Sequence, residues 1–219
     1  MSKVTVMLLS HNRPQLVKQT IYSVLWQTLE DFELLIIENS TDNETKQVVE
    51  SFTDDRIKIY YEDPSEQDSS KQAIVPVYFN KYVGVAQGKY IFLLSDDDLL
   101  LPSCLEELYE FCESRGVACA YMGQFWMDYA EGSWKMKEHR EYDVLFHKGH
   151  QPSCIIGGSS VLVRKDCFDE IEQPYYPLEP ALSGMADGLF LDKVAIKFNI
   201  YPIKKTCMIY RWHSGRGWG

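Results

Sequence analysis

The sequence predicts an α/β domain built on a doubly wound, mainly parallel sheet. Short apolar runs typical of buried strands recur through the first half of the chain, separated by stretches that read as helices. This alternation is the pattern of strand–helix–strand units with right-handed crossovers. A chain of 219 residues with 45% hydrophobic content is also large enough to bury the core of one such domain.

Four strands and three helices are predicted in the first half. The strands are apolar and rich in β-branched residues, and they cover Val4–Leu9, Glu33–Ile37, Arg56–Tyr61 and Tyr90–Leu94. Apolar residues at near-helical spacing, or a polar stretch after a capping residue, place the helices at Leu16–Trp26, Glu44–Phe52 and Val77–Gln87. The polar stretch Glu62–Gln72 is predicted to be a loop.

The second half of the chain has less regular elements. Predicted helices run from Pro102 to about Ser114, begin at Arg164–Phe168 as a short helix, and begin again near Asp187. Predicted strands cover Val117–Met122, two apolar runs within Cys154–Val163, and Tyr201–His213. The glycines between those two runs indicate a close approach of the backbone to another group.

The composition narrows the possible functions. A net charge of −10 argues against a general nucleic-acid-binding protein, because affinity for the phosphate backbone needs clustered Lys and Arg. No stretch approaches the roughly 20 apolar residues of a membrane span, and the N-terminus lacks the organisation of a signal peptide, so we expect a cytoplasmic protein. The six cysteines have no C-x-x-C spacing and are expected to be reduced core residues.

Three consecutive carboxylates, Asp96, Asp97 and Asp98, follow the fourth predicted strand. Ligands of open α/β sheets bind at the carboxyl ends of strands, and adjacent carboxylates repel one another unless a cation lies among them. Oxygen ligands of this kind suit Mg²⁺ or Mn²⁺. The alternative is a solvated turn in which Asp98 or Ser103 caps the helix that begins near Cys104.

Polar segments also follow the first two strands, at Ser10–Arg13 and Glu38–Asp42. Because the carboxyl ends of parallel strands meet at one edge of a sheet, we expect both segments to lie beside the acidic stretch. No Gly-x-Gly-x-x-Gly or P-loop follows the first strand, which argues against a Rossmann dinucleotide enzyme and a P-loop kinase. A nucleotide at this edge would be held by side chains and a metal ion.

Three residues in the second half of the chain can each be interpreted either as functional or as structural. Trp126 and Trp134 could stack on sugar rings, or they could fill a mixed core, as aromatic side chains more often do. Asp187 stands at the start of a predicted helix, where a carboxylate is either a functional group or a cap that complements the helix dipole.

Taken together, these segments resemble family 2 glycosyltransferases, which have the GT-A fold. The matching segments, in chain order, are Leu9–Pro14, Ile36–Asp42, Asn80–Ile91, Leu94–Pro102, Gly184–Asp187 and Tyr210–His213. The stretch Gly157–Val163 and the helix after Asp187 look similar to a bacterial spore-coat polysaccharide glycosyltransferase of that family. The resemblance implies a single GT-A domain over residues 1–219, with a nucleotide-binding half at 1–102 and an acceptor-binding half, containing a smaller sheet region, at 103–219.

The family's activity is the inverting transfer of a sugar from a nucleoside-diphosphate-sugar, with a UDP-sugar favoured here. The resemblance implies a hydroxyl acceptor on a glycan, a lipid-linked sugar or a small molecule, in glycan or polysaccharide synthesis. It assigns nucleotide binding to Ser10, His11, Asn12, Arg13, Glu38, Asn80, Ser95, Asp96 and Asp97. It assigns Mn²⁺ or Mg²⁺ to Asp97, Asp98 and His213, the diphosphate to Arg211 and His213, and the acceptor to Gly158, Ser159 and Trp126. Asp187 matches the catalytic aspartate and is expected to be the general base.

Two departures from the family pattern leave questions open. Ser95 replaces the first aspartate of the usual Asp-x-Asp-Asp motif, so the metal ligand among the three carboxylates is not fixed. Ala186 replaces the usual glutamate before the catalytic aspartate, which leaves Asp187 as the base candidate of that motif.

Other functions and locations also stay open at this stage. The alternative functions are a sugar-phosphate nucleotidyltransferase, which would lack its usual Gly-rich basic loop, and a non-catalytic carbohydrate-binding protein. A cytoplasmic enzyme could also lie peripherally at the inner face of the membrane.

Overall fold

The computed structural model describes residues 2–66, 74–130, 132–152, 156 and 158–213. The strands are β1 (Val4–Ser10), β2 (Phe32–Glu38), β3 (Ile57–Tyr61), β4 (Tyr90–Ser95), β5 (Leu99–Leu100), β6 (Cys119–Ala130), β7 (Ser133–Arg140), β8 (Val161–Arg164) and β9 (Ile200–Trp212). The helices are α1 (Pro14–Leu25), α2 (Asn43–Glu50), α3 (Ile74–Tyr82), α4 (Cys104–Arg115) and α5 (Ala186–Lys197). Short 3₁₀ turns cover Pro64–Glu66, Gly158–Ser160, Lys165–Asp169 and Pro180–Met185.

The described strands form one continuous sheet in the order β3-β2-β1-β4-β8-β6-β9-β5, and β7 pairs with β6 outside this path. Strands β3, β2, β1 and β4 are parallel. Strand β8 is antiparallel to both β4 and β6, whereas β9 runs parallel to β6. The predicted α/β sheet is thus confirmed, with one half made of four parallel strands and a mixed half made of β5, β6, β7, β8 and β9.

Helices pack on both faces of the parallel strands, because these strands are apolar on both sides. Leu8 of β1 packs in one core with Ile21 of α1, and Leu9 packs in the opposite core with Tyr78 of α3 and Phe190 of α5. The two cores hold the parallel strands rigidly, so the loops at the carboxyl ends of these strands have a fixed base.

Local sequence explains where several helices begin and end. Pro14 opens α1, where its missing N–H is not needed, and Asp42 caps α2 by accepting a hydrogen bond of 2.6 Å from the Thr45 N–H. Gly116 ends α4 with a φ of 63°, a left-handed conformation that glycine adopts without steric cost.

Gly88 allows the chain to pass closely against β1 just before β4 begins. A Cβ atom at this position would lie 2.3 Å from the Thr5 N atom and 2.6 Å from the carbonyl carbon of Val4. The Gly88 N–H also donates a hydrogen bond of 2.8 Å to Thr5 Oγ1. This contact fixes the start of the strand that leads to the three aspartates.

The structure differs from the prediction at α3, which ends at Tyr82 instead of Gln87. The chain leaves the helix in a turn in which the Val85 N–H donates to the Tyr82 carbonyl at 3.0 Å. The Gln87 N–H then binds the buried carboxylate of Glu33 on β2. Long-range hydrogen bonding therefore outweighs the helical spacing of the sequence at this point.

Strand β7 was not predicted, and β6 continues to Ala130 instead of stopping at Met122. Most side chains of β7 are exposed, so the strand is held by its backbone pairing with β6 and leaves no alternating apolar pattern. Of the two strands predicted within Cys154–Val163, the second corresponds to β8. Of the first, Cys154–Ile156, residues 154 and 155 lie outside the described part.

The described cysteines, Cys104, Cys112, Cys119, Cys167 and Cys207, are buried and free, as predicted, and Cys154 lies outside the described part. Within residues 2–66, 74–130, 132–152, 156 and 158–213, we find no helix whose length and apolar character would let it cross a bilayer.

Candidate active site

The polar segments that follow β1, β2 and β4 meet at one edge of the sheet, as the parallel order requires. Ser10 pairs in register with Glu38, and Leu9 pairs with Ser95. Ser10 and Glu38 are both fully buried, and Ser10 Oγ and Glu38 Oε2 have no hydrogen-bond partner among the residues that the structure describes. Buried polar atoms are normally paired, so these two atoms are available to a ligand that reaches this edge.

The loop after β1 is fastened to the loop after β2. Asn12, which adopts a positive φ of 51°, accepts hydrogen bonds from the Thr41 N–H at 2.9 Å and the Asp42 N–H at 3.2 Å. His11 Nδ1 lies 2.9 Å from the Asn39 carbonyl oxygen. His11 and Asn12, both expected at the nucleotide, therefore also hold these two loops together.

Arg13 carries the positive charge that the acidic stretch requires. Its Nη1 lies 2.7 Å from Asp96 Oδ1 and 3.3 Å from Asp97 Oδ2. The His213 Nε2 atom approaches the same Asp97 oxygen at 3.2 Å. Asp96 and Asp97 are 1% and 0% exposed, so these contacts compensate carboxylates that have little access to solvent.

The environment of Asp96 opposes its ionisation in part. Burial raises the pKa of the Asp96 carboxyl above its usual range, the Arg13 charge counteracts this effect, and the charge of Asp97 adds to it. The His11 N–H also donates to Asp96 Oδ2 at 2.9 Å and favours the charged form. The site is therefore one in which added positive charge is favourable.

Asp98 and Arg211 have a structural use that the sequence did not indicate. The Arg211 N–H donates a hydrogen bond of 2.9 Å to Asp98 Oδ1, so Asp98 ties β9 to the turn after β4. The N-cap of α4 is Ser103 and not Asp98, whereas the expected metal contact of Asp98 stays a prediction. Helix α4 begins after Ser103, whose hydroxyl binds Glu107 Oε1 at 2.9 Å.

The Arg211 guanidinium is only 2% exposed and is fully engaged within the fold. It donates to the Asp97 carbonyl, to Gln19 Oε1 and, at 3.5 Å, to the Leu16 carbonyl. These groups belong to α1 and to the turn after β4. Arg211 therefore links β9 to α1 and to the turn after β4, and its expected contact with a diphosphate stays a prediction.

Asn80, which is expected at the nucleotide, makes contacts within the protein that the sequence did not indicate. Its side-chain amide donates to the Tyr176 carbonyl at 3.0 Å and accepts from the Tyr176 N–H at 2.9 Å. Both ends of the amide are thus occupied by the backbone of one residue, and Asn80 fastens α3 to the loop before α5. Asp187 lies in the first turn of α5 and is partly buried, where the sequence predicted it.

The residues expected at the acceptor fall into two groups. Gly158 and Ser159 lie in the 3₁₀ turn that contacts β4, β6 and α5, next to the helix that carries Asp187. Trp126 of β6 stacks on Tyr210 of β9 at 4.6 Å, and the Arg140 guanidinium of β7 lies 3.4 Å from its ring centroid. Because β9 and β7 flank β6 on opposite sides, Trp126 packs between its neighbours, and its expected contact with the acceptor stays a prediction.

Trp134, for which the sequence left open a contact with a sugar or a place in the core, lies beside this cluster. Its ring is edge-on to His213, with 6.1 Å between centroids, and the Arg211 guanidinium lies 5.5 Å from its ring centroid. A sequence signal for the position of Trp134 was Gly132, which has a φ of 76° and stands between the two segments that pair as β6 and β7. A hairpin there would have placed Trp134 beside the C-terminal end of β9.

An open cavity of about 460 Å³ lies against this cluster. The loop after β1, the first turn of α1 and His213 line it. Its volume is within the range of pockets for small molecules and cofactors.

The donor set of the cluster suits a hard or borderline divalent cation. Within the described ranges no group of three or more His, Cys, Asp or Glu side chains has the spacing of a complete metal site. Asp97 and His213 nevertheless present a carboxylate and an imidazole 3.2 Å apart, a pair that fits Mn²⁺ or Mg²⁺ if a bound ligand supplies the remaining oxygens.

Comparison with known proteins identifies relatives for most of the chain. The model of the family "Glycosyl transferase family 2" matches residues 5–172. The putative teichuronic acid biosynthesis glycosyltransferase TuaG of Bacillus subtilis is 25% identical over 173 residues, which are 78% of this chain and 66% of TuaG. The poly(ribitol-phosphate) β-N-acetylglucosaminyltransferase TarP of Staphylococcus aureus is 35% identical over 115 residues, which are 51% of this chain and 33% of TarP.

A solved structure shows the same fold. The 1–349 segment of S. aureus TarS, crystallised in complex with UDP-GlcNAc, superposes with a TM-score of 0.74 and 17% identity over 98% of this chain and 60% of that chain. The chain thus spans between a third and two thirds of the length of these proteins.

Proposed function

Because the chain belongs to glycosyl transferase family 2, it is a glycosyltransferase, and we propose that it transfers a sugar from a nucleoside-diphosphate-sugar to a hydroxyl acceptor with inversion of configuration. The observation that carries this proposal is the meeting of three strand ends at one edge of the sheet. Ser10 and Glu38 hold buried polar atoms there that have no partner among the described residues, and Arg13 and His213 of the Arg13–Asp97–His213 cluster line a cavity. A nucleoside needs polar atoms with which its own polar groups can pair. A diphosphate needs positive charge, which the Arg13–Asp97–His213 cluster can hold.

The donor is proposed to be a UDP-sugar. Ser10 Oγ and Glu38 Oε2 supply the unpaired acceptors that the N–H and hydroxyl groups of a nucleoside require. The crystallised TarS segment, which shares this fold, was solved with UDP-GlcNAc. In this assignment Ser10 and Glu38 bind the nucleoside, while Arg13 lies near its phosphates.

Asp97 and His213 are proposed to hold Mn²⁺ or Mg²⁺ together with the diphosphate. When bound, the cation neutralises the negative charge that develops on the leaving diphosphate. Trp134, edge-on to His213, and Arg211, bonded to the Asp97 carbonyl, keep the two ligands in place. These supporting contacts explain why the region around Asp97 is so extensively buried.

Asp187 is proposed to act as the general base. It takes the proton of the acceptor hydroxyl as that oxygen attacks the anomeric carbon of the sugar. The bond between the anomeric carbon and the diphosphate oxygen breaks, and its electron pair leaves with the diphosphate. Attack from the face opposite the leaving group inverts the configuration. General-base catalysis of this kind contributes about 10²- to 10⁴-fold to the rate.

The acceptor is proposed to be a growing glycopolymer or a lipid-linked glycan. The names of TuaG and TarP place those relatives in the synthesis of teichuronic acid and in the modification of poly(ribitol-phosphate). The turn at Gly158–Ser160 beside α5 is the part of this chain that would border such an acceptor. Polysaccharide synthesis is therefore the process in which we place the enzyme.

Calorimetric titration with UDP, GDP and dTDP, each with and without Mn²⁺, tests the donor site. We expect UDP to bind most tightly and Mn²⁺ to increase its affinity. Incubation with UDP-sugars and an undecaprenyl-linked or polyol-phosphate acceptor then tests transfer. If none of the three nucleotides binds, the proposed function is wrong.

A further inference from the structure

Two basic side chains share one buried carboxylate at the candidate active site. Arg13 Nη1 lies 3.3 Å and His213 Nε2 lies 3.2 Å from Oδ2 of Asp97. Arg13 Nη1 also lies 2.7 Å from Oδ1 of Asp96. The Arg13 guanidinium therefore contacts the carboxylate that is proposed to hold the divalent cation.

The guanidinium of Arg13 and a divalent cation compete for Asp97. Both are positive, and two like charges beside one carboxylate repel one another, most strongly where solvent screens them little. The side chains of Arg13 and Asp97 are only 12% and 1% exposed, so this screening is weak. Binding of a cation at Asp97 therefore disfavours the position that Arg13 has in this structure.

Arg13 has a fixed backbone and a side chain that borders open space. Its carbonyl oxygen accepts hydrogen bonds from the N–H groups of Leu16 at 3.1 Å and Val17 at 2.9 Å, which anchor the residue at the start of α1. Its side chain lines the cavity of about 460 Å³ together with His213. Rotation about the side-chain bonds can thus turn the guanidinium into the cavity without a change in the loop.

Both aspartates keep other partners if Arg13 turns away. Asp96 Oδ2 accepts a hydrogen bond of 2.9 Å from the His11 N–H, and Asp97 keeps its contact with His213. The positive charge that Arg13 removes is replaced by that of the cation. Because a buried carboxylate is costly chiefly when its charge is left uncompensated, the exchange is feasible for both residues.

We infer that the Arg13 guanidinium is the cationic partner of Asp96 and Asp97 before the donor binds, and that it moves to the donor diphosphate when the divalent cation takes its place. This inference rests on the proposed function, in which Asp97 and His213 hold the cation. The planar guanidinium pairs with phosphate oxygens as well as with carboxylate oxygens. Arg13 therefore weakens binding of the cation alone and strengthens binding of the cation together with the nucleotide, so the two ligands bind cooperatively.

Titration of the protein with Mn²⁺ in the absence of nucleotide tests the inference without relying on activity. Electron paramagnetic resonance measures the free Mn²⁺ that remains. We expect Arg13→Gln, which removes the charge, to bind Mn²⁺ alone about tenfold more tightly than the unaltered protein. The same variant should bind UDP in the presence of Mn²⁺ about tenfold more weakly, because it loses a charged hydrogen-bond donor to the diphosphate. A merely structural role of Arg13 would weaken both.

Three further variants control the experiment. Arg13→Lys keeps the charge and should bind Mn²⁺ alone as weakly as the unaltered protein. Lys18→Gln removes one positive charge from an exposed position of α1 and should leave both affinities unchanged. Arg13→Gln combined with Asp97→Asn should lose the gain in Mn²⁺ affinity, because the carboxylate that gains the cation is then absent.

Two results overturn the inference while the proposed function stands, provided that the unaltered protein binds UDP with Mn²⁺. One is an affinity for Mn²⁺ alone that is no higher in Arg13→Gln than in the unaltered protein. The other is an Arg13→Lys variant that binds Mn²⁺ as tightly as Arg13→Gln does. If UDP binds to none of these proteins while Arg13→Gln gains Mn²⁺ affinity, the proposed function and the move to the diphosphate are wrong, and the competition between Arg13 and the cation stands.

Discussion

The Nε2 atom of His213 lies 3.2 Å from Oδ2 of Asp97, although 116 residues separate the two in the chain. Arg13 approaches the same oxygen at 3.3 Å. One buried carboxylate thus receives a side chain from the loop after β1 and another from the residue after β9. The strand order explains this meeting, because β4 is adjacent to β1 and β9 pairs with the short β5 that follows the aspartates.

If Asp97 and His213 hold the cation, removing either should weaken binding of UDP only when Mn²⁺ is present. We expect Asp97→Asn and His213→Ala each to lower the Mn²⁺-dependent affinity about tenfold or more, measured by calorimetry. His147→Ala is a suitable control, since His147 is exposed and its ring contacts His150. Equal Mn²⁺-dependent affinity in all four proteins would contradict the assignment.

Asp187→Asn should abolish most of the transfer and leave the donor bound. Loss of a general base is expected to lower kcat about 10²- to 10⁴-fold. The dissociation constant for UDP should not change, because the proposed donor contacts lie at the ends of β1, β2 and β4. Asp166→Asn changes an exposed aspartate in the 3₁₀ turn after β8 and controls for the loss of one charge. Full transfer by purified Asp187→Asn would exclude this residue as the base.

Gly88→Ala should destabilise the protein, whereas Gly84→Ala should not. An added Cβ at Gly88 would meet the backbone of Val4 and Thr5, while one at Gly84 has no atom within 4 Å. Crowding against a backbone cannot be relieved by rotating a side chain, so we expect a loss of about 1–3 kcal/mol or more in the free energy of unfolding. Urea denaturation measures the difference, and equal midpoints for the two variants would argue against a close passage at Gly88.

Glu33 should contribute to the pH dependence of stability. Burial raises its pKa, but hydrogen bonds from Lys58, Thr5 and the Gln87 N–H outweigh that effect, and the pKa in the folded protein is below the ordinary value of 4.5. The stabilisation is therefore complete above pH 4.5 and is lost as the pH falls through the folded-state pKa. Glu33→Gln should lose less stability than the unaltered protein on acidification below pH 4.5.

Urea titrations at a series of pH values measure this effect. Glu30→Gln, at an exposed position, should follow the unaltered protein. Parallel pH profiles for the unaltered protein and Glu33→Gln would show that the carboxylate of Glu33 has no such role.

The part of the site that the sequence predicted is the part built on parallel strands. Ser10, Glu38 and Asp96 follow apolar runs, and the carboxyl ends of adjacent parallel strands lie together whatever the connecting helices contain. The prediction needed only the order of the strands and no knowledge of side-chain contacts.

The contacts that the sequence could not predict are those between residues far apart in the chain. Asn80 and Arg211 have side chains that suit a ligand and a backbone carbonyl equally well, and their partners are 96 and 192 residues away. Strand β7 was not predicted for a different reason. Most of its side chains are exposed, so its sequence has no alternation of apolar and polar residues. The position of Trp134 beside His213 was therefore not predicted.

Gln19 and Arg211 meet beside the acidic turn although they lie 192 positions apart in the chain. This separation has a consequence for synthesis in the cell. The parallel strands and their helices leave the ribosome early and can form local contacts, whereas β9 must pair with β6 and β5 after nearly all of the described chain has emerged. A nascent chain that stops before Arg211 has the nucleoside-binding edge without the support for Asp97. The last residues to be synthesised therefore complete the hydrogen bonding of the acidic turn.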